Sequence, residues 1–159
     1  MVLKSFKPSI KEIAPLIKDA VSSGKDVRLT VTGYSMYPLL RDKTDDVILG
    51  SFDKIKKYDV VLFERDNGSY IFHRVIKIDG DILTIAGDNE TVKEYPVHKD
   101  KVIAVMKKFI RSGREHSLSS LWYKLYVRIW LVIFPMRPFA AKLYNKLAKV
   151  YRRINGGKK

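Results

Sequence analysis

The chain of 159 residues contains no cysteine. That removes disulfides, thiolate metal sites and a cysteine nucleophile, and it suits a reducing compartment. Acids are scarce at the C-terminal end: residues 107–159 hold 14 of the 31 Lys and Arg but a single acid, Glu115, whereas residues 1–106 are close to neutral. The sequence therefore divides into a near-neutral domain, 1–110, and a basic, aromatic tail, 111–159. Long apolar runs are missing as well. The start, MVLKSFKPSIKEIAPLIKDA, lacks the uninterrupted apolar segment of a secretory signal. In the tail the longest uncharged run, Ile129–Met136, is eight residues, against about 20 needed to span a bilayer. The three histidines, His73, His98 and His116, have no ligand-like spacing, so neither a metal nor an organic cofactor is expected.

What is present begins with a helix. Ser9 with Glu12 three residues on forms a capping box, and Ile10, Ile13, Ile17, Ala20 and Val21 recur at helical spacing until Ser23-Gly24. Pro15 falls inside this run and is expected to kink or shorten it. From Val27 the texture changes to short β-branched runs, which predict strands near Val27–Thr32, Asp46–Ser51, Val60–Glu64, Tyr70–Ile78, Ile82–Ala86 and Lys101–Phe109. The Asn-Gly of RDNGS (Arg65–Ser69) and the Asp-Gly of IDGD (Ile78–Asp81) are hairpin signals, so three consecutive strands form a meander with Tyr70–Ile78 in its middle. Past Arg111 the period becomes helical. Leu121, Leu125, Ile129 and Ile133 together with Trp122, Tyr126, Trp130 and Phe134 make a broad apolar face, with Lys124 and Arg128 on a narrow polar one. Pro135 and Pro138 end that helix, and a second follows with Phe139, Leu143, Leu147, Val150 and Ile154 opposite Lys142, Lys146, Lys149 and Arg153. The expected fold class is mainly β, with a short N-terminal helix and C-terminal amphipathic helices.

Two segments carry chemistry. A serine between tyrosines in TGYSMYPLL (Thr32–Leu40) reads, alone, as a solvated turn. In YIFHRVIKI, alternation puts His73 on the face of Ile71 and Val75 and turns Phe72, Arg74 and Ile76 the other way. A lone histidine there is ordinarily a hydrogen-bonded core residue. Taken in order, however, GYSMYPLL, DDVILG, YDVVLF, FHRVIKIDGD and AGDNE resemble the boxes of the signal peptidase I superfamily of serine proteases, over roughly Val27–Lys108. Those boxes run G-x-S-M-x-P, G-D-x-V, a second G-D-x-V, K-or-H-R-V and G-D-N.

The resemblance implies a signal-peptidase-like β-fold with Ser35 as nucleophile and His73 as general base, His being the base of the archaeal and endoplasmic-reticulum branch. A serine hydroxyl needs such a base, and imidazole is a ready acceptor near neutral pH. The third member is open. GDNETVKEYP departs from the family's G-D-N-N-x-x-D-D, with Lys93 and Glu94 at the acidic positions; Asp88 and Glu94 are equal alternatives to orient His73, and a Ser-His dyad is a third. Gly33 and Tyr34 would turn the backbone to present Ser35, whose N–H is the expected oxyanion donor, and Met36 would wall the substrate groove. Arg74, Asp46, Asp59 and Asn89 match motif positions and read as structural.

Ordinary members are anchored by a helix before the serine. Here the tail instead resembles an interfacial anchor, with Trp122, Tyr123, Tyr126, Trp130 and Phe134 beside basic residues that suit an anionic membrane surface. The expectation is a cytoplasmic endopeptidase, peripheral on the inner membrane face, acting on a signal or leader peptide. A secretory signal peptidase with atypical anchoring and a catalytically silent peptide-binding module are the rivals. Packing of the tail on its own domain or on a second copy is the plain alternative. Nucleic acid is not the expected partner, because the superfamily's DNA-linked repressors use Lys as base and carry their DNA-binding module ahead of the protease.

Overall fold

A computed structural model describes residues 9–136 and Phe139. Helix α1, Ile10–Ser22, starts where the sequence places it: the Glu12 carboxylate accepts from the Ser9 backbone N–H at 2.7 Å, satisfying a donor the helix leaves over. Pro15 does not shorten it. Pro15 is exposed, so the carbonyl its ring leaves unpaired can be hydrated, while Ala14, Ile17 and Val21 bury the opposite stripe.

The rest is one antiparallel sheet of eight strands: β1 (Val27–Thr30), β2 (Asp45–Gly50), β3 (Val60–Glu64), β4 (Tyr70–Asp79), β5 (Ile82–Ala86), β6 (Glu94–His98), β7 (Val102–Arg111) and β8 (Arg114–Ser117). Their order is β1-β2-β7-β3-β4-β5-β6, with β8 paired to β7. The fold is mainly β, as expected, and β3-β4-β5 is the predicted meander. Two strands were not foreseen. β6 opens on the polar Glu94 and contains Pro96, and β8 is Arg-Glu-His-Ser, so neither shows apolar alternation; pairing with a neighbour forms them.

The sheet is apolar on both faces. Val47, Leu49, Val60, Leu62, Ala104, Met106 and Phe109 form one core with α1. Val61, Phe63, Val75, Leu83, Ile85 and Val105 form the other. Alternation therefore assigns sides as read: Phe72 packs on the first core, Ile71 and Val75 on the second.

The expected boundary after residue 110 does not coincide with a break in the fold. β7 runs to Arg111, β8 continues the sheet, and helix α2 (Leu121–Ile133) packs Tyr123 and Val127 into the first core. Its N-terminus is capped by the Ser120 hydroxyl, which accepts from the Tyr123 N–H. The inward stripe is thus Tyr123 and Val127, followed by Phe134, and Leu121, Trp122, Leu125 and Ile129 face solvent. The sequence did not single out that stripe because α2 is apolar almost all round. Among the described residues no helix is long and apolar enough to cross a membrane. The second tail helix, with Leu143, Leu147, Val150, Ile154 and its lysines, lies outside the described residues.

Candidate active site

Ser35 sits in the turn Ser35–Leu39 that follows Gly33, whose φ of 91° is a left-handed conformation that glycine adopts without strain. Three contacts fix this loop. The Gly33 N–H donates to Asp42 Oδ1 at 2.8 Å, the Ser35 carbonyl accepts from the Asn89 N–H at 2.7 Å, and Arg111 Nη2 donates to the Leu39 carbonyl at 2.5 Å. Arg111 is itself locked to the buried Asp45 through Nε and Nη2. A residue beyond the expected domain boundary therefore holds the loop that carries Ser35.

His73 is 2% exposed and lies in the middle of β4, opposite Val61. Its Nδ1 is 2.9 Å from Glu94 Oε1, and its Nε2 is 3.5 Å from Glu90 Oε1. With Glu94 ionised, Nδ1 carries a proton, and in the neutral ring Nε2 is then the acceptor. Glu94 is the first residue of β6 and pairs with Ile85, and Ile85 pairs with Val75; directly paired residues share a face, so Glu94 comes to the side of the sheet that carries His73. Arg65, in the β3-β4 turn, donates from Nε to the other oxygen of Glu94 at 2.5 Å. Burial pushes the Glu94 carboxyl up, but the bond and charge of Arg65, with His73 adding to them, outweigh it and hold the acid below its ordinary value.

Gly87 brings Ser35 and His73 together. A β-carbon at this position would lie 2.7 Å from the Ser35 carbonyl oxygen and 3.0 Å from His73 Nε2, so both groups crowd one point on the Gly87 backbone. Ser35 and His73 line one cavity of about 300 Å3, and Glu90 stands at it too. Its walls include Gly33 and Met36 and the apolar Leu29, Val47, Leu62 and Phe72. Tyr34 is not part of that lining: it points outward, 66% exposed.

Asp88 is not the orienting acid, and that expectation is corrected. Its carboxylate accepts from Arg74 Nε and Nη2, each at 2.7 Å, and from the Tyr126 hydroxyl at 3.0 Å, on the opposite side of the sheet from His73. A bulge decides this. β4 and β5 pair Ile78 with Leu83 and Lys77 with Thr84, then slip by one so that Val75 meets Ile85 and Arg74 meets Ala86. In the unslipped register Asp88 would stand opposite His73; one inserted residue turns it to the face of Arg74. Arg74 also donates from Nη1 to the Tyr58 carbonyl at 2.9 Å and to the Tyr123 hydroxyl at 3.0 Å. Burial works against its charge, yet the carboxylate of Asp88 holds the guanidinium ionised far above its usual range. Asp46 pairs with Arg28, and Asp59 accepts from the Lys56 N–H, so both are structural as read.

Glu90 and Arg65 were not foreseen. Glu90 is carried in directly behind the G-D-N box, and Arg65 occupies a turn that gives no sign of pointing at residue 94. Among the described residues one cluster, His73, Glu90 and Glu94, has ligand atoms within 4.8 Å of one another. Arg65 and the His73 ring already engage Glu94, so it reads as a hydrogen-bonded network around an imidazole.

Comparison with known proteins identifies the family of the chain. A search of curated proteins finds no match. The Peptidase S24-like family matches residues 4–118, from α1 through β8. The chain therefore belongs to the Peptidase S24-like family and has its serine-peptidase fold.

Proposed function

We propose that the protein is a serine endopeptidase of the signal peptidase type, with Ser35 as nucleophile, His73 as base and Glu94 as the acid that orients it. The observation that carries this reading is the 2.9 Å contact of His73 Nδ1 with Glu94, which leaves Nε2 on the side of Ser35. The Ser35 Oγ attacks the scissile carbonyl and its proton passes to Nε2. The Ser35 N–H stabilises the oxyanion. His73 then returns the proton to the leaving amine, and water hydrolyses the acyl-enzyme by the same route. Glu94 stabilises the transient imidazolium, and Glu90 adds a second carboxylate near Nε2.

The substrate is a signal or leader peptide met at a membrane surface, on the cytoplasmic side. Support comes from α2, which exposes Leu121, Trp122, Leu125 and Ile129 alongside Lys124 and Arg128, the pattern of an interfacial helix. Mass spectrometry of a pool of signal and leader peptides, incubated with and without anionic vesicles, tests the whole reading. Cleavage that Ser35→Ala and His73→Ala each abolish, and that vesicles accelerate, is the expected result. Retention of peptides without cleavage by all three proteins would instead mark a binding module.

A further inference from the structure

We infer that α2 supports the active site, with Trp130 and Tyr126 acting as positioning residues that fix the loop on which Ser35 and His73 meet. The inference rests on the proposed roles of Ser35 and His73. Trp130 Nε1 donates to the Asp88 carbonyl at 2.6 Å. The next group along the chain, the Asn89 N–H, donates to the Ser35 carbonyl at 2.7 Å. The Asp88 carbonyl and the Asn89 N–H belong to one planar peptide unit, which cannot twist internally. Trp130 and Ser35 therefore hold opposite ends of a single rigid plate, and a rotation of that plate moves the nucleophile's backbone.

Two further contacts make the grip specific. The Tyr126 hydroxyl donates to Asp88 Oδ2 at 3.0 Å, so α2 holds both the main chain and the side chain of Asp88. The Tyr126 and Trp130 rings stack at 5.8 Å, which fixes the direction of the indole N–H. On the other side of Asp88 stands Gly87, packed against the Ser35 carbonyl and His73 Nε2. Charge neutralisation does not explain these bonds, because Arg74 already meets both oxygens of Asp88. The family match ends at residue 118 and α2 begins at Leu121, so this support lies outside the matched region.

The test uses the full chain with Trp130→Phe, which replaces the indole by a smaller aromatic ring and removes its N–H donor, and Tyr126→Phe, which keeps the ring and removes the hydroxyl donor. In peptide cleavage, Trp130→Phe is expected to lower kcat by roughly 10- to 100-fold with KM moved less than about threefold, since sub-ångström placement governs the chemical step. Tyr126→Phe follows the same pattern more weakly. Backbone amide exchange by NMR supplies a readout that needs no activity: the Asn89 N–H exchanges faster in Trp130→Phe, while the β4-β5 amides keep their protection. Wild-type exchange at Asn89 overturns the inference, as does an active enzyme whose kcat is unchanged or whose loss lies wholly in KM. Should wild type cleave nothing, the proposed function fails, and Asn89 exchange alone decides whether α2 fixes the loop.

Discussion

Gly87 leaves no room for a side chain, and the crowding comes from Ser35, His73 and Glu90 rather than from the turn's own dihedral angles. A methyl there would press on the Ser35 carbonyl and on His73 Nε2, and the carbonyl is backbone that cannot swing aside. Gly87→Ala is therefore expected to cut cleavage by on the order of 100-fold, with the nucleophile and base forced apart, while the protein still folds; wild-type rates in this variant would show the two groups are not coupled. Glu94 carries a pH signature. Its folded carboxyl titrates below its ordinary value of 4.5, so its stabilising contribution is complete above that value and is lost as pH falls through the lowered one. The urea midpoint of wild type should exceed that of Glu94→Gln by a constant margin at neutral pH, and the margin should close in the acid range. A margin that widens on acidification would contradict the assigned direction.

Elements, not residues, decide which acid meets His73. The bulge between Val75 and Lys77 turns Asp88 toward Arg74, and the start of β6 delivers Glu94 instead. The strands β3, β4 and β5 were legible because each carries apolar β-branched residues between turn signals, and the side of His73 followed from alternation. The bulge was not legible: IFHRVIKIDGDILTIA contains no glycine or proline where the slip occurs, and a sequence that does not show the slip cannot separate Asp88 from Glu94. The inward stripe of α2 was hidden for a different reason, since a helix apolar on nearly every side has no preferred face until a partner is present. That partner is the first core, into which Tyr123 and Val127 pack, together with the Arg74–Asp88 pair, whose side chains are 1% and 2% exposed. Removing the charge of one member leaves the other buried, so Asp88→Asn should cost about 3–5 kcal/mol in denaturant unfolding and loosen α2. A loss near zero would mean that Arg74 finds solvent or another anion.

At the scale of the molecule, the sheet's two apolar faces divide the work. One face packs α1 and α2 and carries the Arg74–Asp88–Tyr126 network; the other carries His73 and Glu94, and Gly87 with its neighbours joins the two at the sheet's end. Motif spacing singled out Ser35 and His73, but the contacts of α2 with Asp88 appear only when the chain is folded, because residues 74, 88 and 126 are far apart in sequence. The central claim is that Ser35, His73 and Glu94 work as one unit. It is tested most directly by single-turnover cleavage of one peptide by wild type, His73→Ala, Glu94→Gln and the double variant. Glu94→Gln alone should slow the reaction by roughly two to four orders of magnitude, and adding it to His73→Ala should cost nothing more. Full activity in Glu94→Gln, or losses that simply multiply in the double variant, would contradict the account.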